Sequence, residues 1–147
     1  MQVKIKKLRE GATVPTYATP GAAAFDLYAN EVALFRSTAI INTGLAFEIP
    51  EGHVMLIFSR SGDGFKRDLR LANCVGVIDS DYRGEVMVKL TRDHRPAPRM
   101  PGPMIDIKPG QRIAQAIIIP LPRVSFDVVG ELSDTERGVG GFGSTGQ

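Results

Sequence analysis

The 147-residue chain has a single cysteine, Cys74, and only two histidines. A disulfide within the chain is therefore impossible, and this composition fits a reducing compartment, so we expect a cytoplasmic protein. The histidines, His53 and His94, have no cysteine or histidine neighbours at metal-ligand spacing, which excludes a structural zinc site. No apolar run approaches the roughly 18–20 residues of a membrane-spanning helix, and the basic residues 1–10 lack the apolar stretch of a signal peptide.

An excess of charge of one sign is missing as well. Lys and Arg total 18 and Asp and Glu total 16, which leaves a formal net charge of +2. A protein that follows a polynucleotide backbone needs a basic surface stripe, so we expect no nucleic-acid partner, and no membrane partner either. A small anionic ligand remains compatible with this balance, because a few well-placed cations suffice to bind it.

Short runs of Val, Ile, Leu and Phe are separated by turn residues, among them 16 glycines and 10 prolines. This pattern predicts an all-β fold, a jelly-roll-like barrel or sandwich of many short strands. Helix signals are weak, because the one candidate, residues 61–69, contains two glycines, and a doubly wound α/β fold is disfavoured. The predicted strands are residues 3–8, 26–28, 32–35, 39–41, 45–49, 53–58, 75–78, 86–90, 104–107, 112–120 and 124–129.

Two segments depart from this pattern, and the second of them divides the chain into a domain, residues 1–136, and a tail, residues 137–147. Within the domain, residues 93–104 hold four prolines, which remove strand donors and predict a surface loop that could bind a protein partner. Residues 137–146 contain five glycines, so we expect the tail to be flexible when free. It is either a disordered end or a clamp whose backbone N–H groups wrap an anion. No helix follows it, which argues against a dinucleotide-binding loop.

A predicted hairpin, residues 76–84, carries two carboxylates at its tip. Asp79 and Asp81 are two residues apart, so on extended backbone they share one face. The hairpin is either an ordinary acidic turn or a rigid mount for a carboxylate that orients or deprotonates water.

Two further sets of polar residues lie next to or within apolar strands. Arg60, Ser61 and Gly62 follow the strand at residues 53–58, and they either end it or grip a phosphate through a guanidinium, a hydroxyl and a backbone N–H. Gln115 lies within the long apolar strand 112–120 and is either a satisfied buried amide or a ligand-contacting group.

Five segments together resemble, in order and spacing, the five motifs of the trimeric dUTPases, the dUTP pyrophosphatases. The resemblance spans nearly the whole chain, and motifs three and five are the most specific. It implies a β jelly roll assembled as a homotrimer, with active sites shared between subunits, that hydrolyses dUTP to dUMP and diphosphate. The segments are ATPGAAAFDLYA at 18–29, SRSG at 59–62, LANCVGVIDSDYRGEV at 71–86, PGQRIAQ at 109–115 and RGVGGFGSTG at 137–146.

The resemblance also implies roles for the residues that bind the nucleoside. Asp79 matches the catalytic carboxylate that activates the water attacking the α-phosphorus. Tyr82 matches the ring beneath the deoxyribose, which leaves no room for a 2′-hydroxyl. Asn73, Gly76 and Ile78 match the edge that reads uracil, and Phe142 on the tail matches the ring that stacks over the base. The resemblance further implies a role in limiting uracil in DNA and in supplying dUMP for thymidylate synthesis.

The triphosphate is expected to lie among polar residues of motifs two, four and five. These residues are Arg60, Ser61, Gly62, Gln115, Arg137, Ser144 and Thr145. The resemblance implies Mg²⁺ as the cofactor, held by the phosphates and water without a direct protein ligand, with Asp26 near it through water.

Some positions depart from the family pattern. Asp63 and Gly64 follow motif two where small apolar residues are usual, which leaves the local phosphate affinity open. Two alternatives also stay open at this point. One is a dCTP deaminase-like enzyme of the related fold, which would need a differently placed catalytic glutamate. The other is a nucleotide-binding or signalling protein that uses the same scaffold without turnover.

Overall fold

The computed structural model of the protein describes residues 1–93, 105–141 and 144. These residues form short strands and one short helix, and the strand pairs are antiparallel. The elements are β1 (Lys4–Lys7), β2 (Thr16–Tyr17), β3 (Phe25–Tyr28), β4 (Glu31–Leu34), β5 (Thr38–Asn42), β6 (Leu45–Glu48), β7 (His53–Phe58), α1 (Ser61–Arg67), β8 (Leu69–Leu71), β9 (Val75–Ile78), β10 (Met87–Arg92) and β11 (Arg112–Pro120).

The strands form three sheets in the described part of the chain. A five-stranded sheet has the order β2-β3-β11-β7-β9, a four-stranded sheet has the order β4-β5-β10-β8, and β1 pairs with β6. None of the three closes into a barrel over these residues. The prediction of an all-β fold with many short strands and little helix is therefore confirmed.

One apolar core joins the three sheets. Leu27 of β3, Ile41 of β5, Leu45 of β6 and Leu71 of β8 all belong to it, and each is at least 98% buried. Burial of such a side chain stabilises the fold by about 1.5–3 kcal/mol. The core therefore fixes the backbone of the strands whose ends carry the polar motifs.

The prediction of a strand at residues 124–129 is wrong. Residues 121–136, which we call the arm, follow β11 without regular structure, and Val124, Phe126 and Val128 are 71%, 90% and 97% exposed. The alternation that predicted a strand is present, but a strand also needs a neighbouring edge to satisfy its N–H and C=O groups. The described part of this chain provides no such edge beside the arm.

Other differences are local. The helix ends at Arg67 because Asp68 adopts a left-handed conformation, φ 53°, and the chain turns into the short strand β8, which the sequence did not predict. The short strand β2 was also missed. Residues 105–107 of the predicted strand 104–107 are irregular, although Ile105 and Ile107 are buried.

Residues 94–104 lie outside the described residues. They comprise most of the proline-rich loop and include Met104, the first residue of the strand predicted at 104–107. In the described part of the chain, no helix is long and apolar enough to cross a membrane.

Thr43 provides a test of how the turn between β5 and β6 is held. Its side chain is fully buried, and its Oγ1 donates to the carbonyl of Val86 at 2.7 Å and accepts from the N–H of Leu45 at 3.2 Å. Thr43→Val keeps the shape but removes both hydrogen bonds, so we expect a loss of about 1–3 kcal/mol in the free energy of unfolding. Urea unfolding at fixed protein concentration measures this loss.

Thr43→Ser is the matched control, because it keeps the hydroxyl and loses only a methyl group. We expect it to be more stable than Thr43→Val. A valine variant as stable as the serine variant would show that packing, and not the hydroxyl, holds this turn.

Candidate active site

The first polar cluster lies where β3, β11 and β7 run side by side. Asp26 of β3 is paired with Gln115 of β11, and Gln115 is paired with Phe58 at the end of β7. Because the chain continues from Phe58 to Arg60, this register brings motifs one, two and four together. They line one cavity of about 320 Å³, together with Ala18 and Ala22–Ala24: Asp26, Arg60, Ser61, Gly62, Arg112 and Gln115.

Asp26 is 92% buried in this sheet, and both of its carboxylate oxygens have cationic partners. Its Oδ1 lies 3.3 Å from Nε of Arg60, and its Oδ2 accepts a hydrogen bond from Nη1 of Arg112 at 3.1 Å. A buried carboxylate without such partners would be costly. Asp26 therefore fixes two guanidinium groups at the edge of the cavity.

Gln115 and Ser61 complete this cavity in different ways. The amide Nε2 of Gln115 donates to the carbonyl of Ser59 at 3.1 Å, so the glutamine is a satisfied, half-buried group that also lines the cavity. Ser61 and Gly62 begin α1, where the first N–H groups of a helix have no intrahelical acceptor. Hydroxyl, N–H and guanidinium donors thus converge here, and this donor set suits phosphate oxygens.

The second cluster lies on the segment that connects β9 to β10. The β-hairpin predicted for residues 76–84 is wrong, because β9 pairs with β7 in the five-stranded sheet, whereas β10 pairs with β5 and β8 in the four-stranded sheet. We use the word hairpin only as a name for the chain reversal at residues 73–86, whose flanking strands do not pair with each other. Asn73, Gly76 and Ile78 line a cavity of about 510 Å³ between these strands. A Cβ on Gly76 would lie 3.2 Å from Cβ of Ile57, so glycine permits the close approach of β9 to β7. Cys74, beside Asn73, adopts φ 64°, and the resulting tight turn exposes Asn73.

The hairpin tip carries Asp79 and Tyr82. Asp79 is exposed and lines a cavity of about 240 Å³ with His53, Asp81 and Arg123 among its neighbours. Tyr82 is 43% exposed, and its hydroxyl donates to the carbonyl of Glu85 at 3.0 Å. The Tyr82 ring is thus oriented by the backbone of its own hairpin.

Glu85 anchors the return of this hairpin. Its carboxylate accepts hydrogen bonds from Arg9, from Nδ2 of Asn42 at 2.9 Å and from the N–H of Gly44 at 2.8 Å. Burial acts to raise the pKa of Glu85 and is the largest single effect, but these hydrogen bonds together outweigh it and lower the pKa. Because the pKa of Glu85 is lowered, its carboxylate stabilises the fold at pH values above the usual pKa of a glutamate. This stabilisation is lost as the pH falls through the lowered pKa of the folded protein.

The two clusters of one chain lie apart. Ile78 is paired with Met55, so Asp79 lies beside the start of β7, whereas Arg60 follows the end of β7. At about 3.3 Å per residue, the intervening strand separates them by roughly 15–20 Å. One small substrate therefore cannot contact both Asp79 and Arg60 of the same chain.

The tail joins neither cluster within the described residues. Arg137 is exposed, and its Nε donates to the carbonyl of Gly140 at 2.8 Å. Ser144 is exposed as well, and its N–H donates to the carbonyl of Gly141 at 3.0 Å. Phe142 and Thr145 lie outside the described residues.

Comparison with known proteins decides the family. The family model described as dUTPase matches residues 10–146. The chain is 46% identical, over 149 aligned positions and the full length of both chains, to the deoxyuridine 5′-triphosphate nucleotidohydrolase of Nautilia profundicola. It is 41% identical to the enzyme of the same name from Bordetella avium, covering 100% of this chain and 97% of that protein.

The chain belongs to the dUTPase family. Its fold matches that of a solved structure, the dUTPase of Staphylococcus bacteriophage 80alpha with dUPNHPP. The TM-score is 0.87 and the sequence identity is 30%, and the match covers 99% of each chain. The resemblance drawn from the five motifs is therefore confirmed, as is the jelly-roll-like fold class that it implied.

Several residues that hold this dUTPase site together were not predicted from the sequence. Arg112 lies inside motif four and pairs with Asp26. The apolar run of β11 gives no sign that the arginine at its start has a buried carboxylate as partner. Asp63 was noted only as a departure, although it is 93% buried against Arg60. Arg9 and Glu85 are 76 positions apart, so their pairing depends on the tertiary fold.

Gly84 offers a test of how the hairpin holds Tyr82. A Cβ on Gly84 would lie 2.6 Å from Cζ and 2.9 Å from Cε2 of the Tyr82 ring, so Gly84→Ala must displace the ring. If Tyr82 lies under the deoxyribose, we expect the preference for dUTP over UTP to fall by about tenfold, measured as the ratio of kcat/KM values.

Gly130→Ala is the matched control, because no atom lies within 4 Å of a Cβ at that position. An unchanged dUTP/UTP ratio in a folded Gly84→Ala protein would separate Tyr82 from sugar discrimination.

Proposed function

We propose that this dUTPase-family protein hydrolyses dUTP to dUMP and diphosphate. The observation that carries the proposal is the cavity in which motifs one, two and four meet, because it collects guanidinium, hydroxyl, amide and N–H donors around a space of about 320 Å³. Names of full-length relatives at 40–46% identity support the same activity. Removal of dUTP would limit uracil incorporation into DNA, and the product dUMP would be supplied to thymidylate synthesis.

In the proposed reaction Asp79 holds and activates the water that attacks the α-phosphorus. As the water oxygen bonds to the α-phosphorus, Asp79 accepts the proton of the water, the bond between the α-phosphorus and the α–β bridging oxygen breaks, and diphosphate leaves dUMP. Arg60, Ser61, Gly62 and Gln115 contact the phosphates, and most of the catalysis consists of positioning and charge stabilisation. The exposed position of Asp79 at a hairpin tip is compatible with access to water.

The nucleoside is proposed to bind at the hairpin. Asn73 and the backbone at Gly76 and Ile78 read the uracil edge, since these residues line the 510 Å³ cavity of the hairpin. Tyr82 excludes a 2′-hydroxyl. The tail, residues 137–147, is proposed to close over the site and exclude bulk water, with Arg137, Ser144 and Thr145 on the γ-phosphate and Phe142 over the base.

We propose Mg²⁺ as the cofactor. No group of three or more His, Cys, Asp or Glu side chains in the described ranges is arranged to hold a metal ion, and both oxygens of Asp26 already face arginines. This donor set fits an ion held mainly by the substrate phosphates and water, with Asp26 contributing through water. When bound, the ion offsets negative charge on the phosphates.

The active site is proposed to be shared between subunits of a homotrimer. Two observations support this assembly: Asp79 and Arg60 of one chain are too far apart for one small substrate, and the arm exposes an apolar face that the described residues of its own chain do not cover. Exposed side chains such as Phe126 and Val128 favour contact with another protein surface. We also propose a cytoplasmic location, because a chain with a single cysteine forms no internal disulfide and suits a reducing compartment.

Asp79→Asn tests the chemistry. The variant keeps the shape of the side chain but cannot accept a proton from water, so we expect it to fold, bind dUTP and lose about 10²–10⁴ in kcat. Diphosphate release from dUTP with Mg²⁺ measures this loss, and the wild-type protein is assayed on UTP, dTTP and dCTP in parallel.

Near wild-type turnover by Asp79→Asn would contradict the assignment of Asp79. Ammonia release from dCTP by the wild-type chain would indicate a deaminase, and binding of dUTP without diphosphate release would indicate a non-catalytic protein.

Subunit mixing tests the shared site. Asp79→Asn and a truncation after Glu136, which removes the tail, should each be nearly inactive. When the two are unfolded and refolded together in equal amounts, roughly a quarter of the sites should regain both an Asp79 and a tail if these come from different chains. Background activity in a mixture shown to contain heterotrimers would mean that one chain supplies both.

A further inference from the structure

Asp63 is a buried carboxylate directly after the Arg-Ser-Gly segment, where the dUTPase pattern usually has a small apolar residue. It is 93% buried, and each of its oxygens meets a different arginine. Oδ2 accepts from Nη1 of Arg60 at 3.1 Å, and Oδ1 accepts from Nη1 of Arg67 at 3.1 Å. Asp63 and Arg67 are four residues apart within α1, and Arg60 is the N-cap residue three positions before Asp63, so the helix and its first turn set the geometry of both pairs.

Arg60 is thereby held from two sides. Its Nε faces Asp26 Oδ1 at 3.3 Å, and its Nη1 donates both to Asp63 and to the carbonyl of Arg112 at 3.2 Å. The contacts that Arg60 makes within the described residues use Nε and Nη1, which leaves Nη2 for a ligand. A planar guanidinium that is fixed at Nε and Nη1 can present Nη2 in only one direction.

We propose that Asp63 is a positioning residue that fixes the direction in which Arg60 presents Nη2 to the substrate phosphates. The inference rests on the proposed function, in which Arg60 contacts those phosphates. Arg67 supports the arrangement, because it holds the second oxygen of Asp63 while its Nη2 donates to the carbonyl of Asp106. An apolar residue in place of Asp63 would leave Arg60 with Asp26 and one carbonyl as partners.

The charge balance of the cluster gives this role a distinctive kinetic signature. Three guanidinium groups, those of Arg60, Arg67 and Arg112, face the carboxylates of Asp26 and Asp63, so the cluster keeps one net positive charge. Neutralising Asp63 adds a second net positive charge, which attracts phosphates in the ground state. It also loosens Arg60, which weakens an interaction that must be well directed in the transition state.

The test compares Asp63→Asn with Asp63→Glu in the full-length protein. We expect Asp63→Asn to lower kcat for dUTP about tenfold or more without raising KM, and to bind inorganic diphosphate at least as tightly as wild type. Asp63→Glu retains the charge and should recover most of the lost kcat. Asp68→Asn is the matched control, because it makes the same chemical change at an exposed position of the same segment and should behave as wild type.

Wild-type kcat in folded Asp63→Asn would overturn the proposal, and so would a glutamate variant no better than the asparagine variant. If Asp63→Asn does not fold, Arg67→Gln decides: a lowered kcat at unchanged KM in this variant supports positioning through Asp63, and wild-type kcat in the folded variant contradicts it. Absence of diphosphate release by the wild-type chain would instead refute the proposed function itself.

Discussion

The buried carboxylate of Asp26 is the constraint on which the site depends. It lies within the five-stranded sheet among apolar neighbours, and it requires positive partners because an unpaired buried charge is costly. Arg112 satisfies one oxygen from the neighbouring strand, and Arg60 satisfies the other from the start of the helix. The same ion pairs that offset the cost of burying Asp26 therefore hold two cations at one cavity, in place before any ligand binds.

The hairpin is stabilised by different means. Gly76 and Gly84 let the backbone of β9 and the ring of Tyr82 approach closely, while Glu85 ties the end of the hairpin to Arg9 and to the turn after β5. Hydrogen bonds to Glu85 cross from the hairpin to the four-stranded sheet and to the chain before β2. The tip of the hairpin and the cavity of motifs one, two and four therefore lie at opposite ends of β7 and are held by different contacts.

Most of the architecture could be predicted from residue patterns. The strands at 53–58, 75–78 and 112–120 match the structure at both ends, because short apolar runs with turn residues on either side determine them locally. The failure at 124–129 has a physical cause: alternation reports which face of a segment is apolar, but it does not report whether the same chain supplies a partner edge. The motif residues Asp26, Arg60 and Gln115 were found from sequence, whereas Arg112, Asp63 and Glu85 were not, since their partners depend on sheet register and burial.

The exposed arm has a consequence for synthesis. Since the arm follows β11 in chain order, it leaves the ribosome after every described strand, and the core can close before the arm emerges. The residues that line the core and the cavity of motifs one, two and four all precede residue 121, whereas the exposed apolar side chains of the arm follow it. Under the proposed assembly, contact through the arm would act as a completeness check, because a chain without the arm would lack the surface through which it associates.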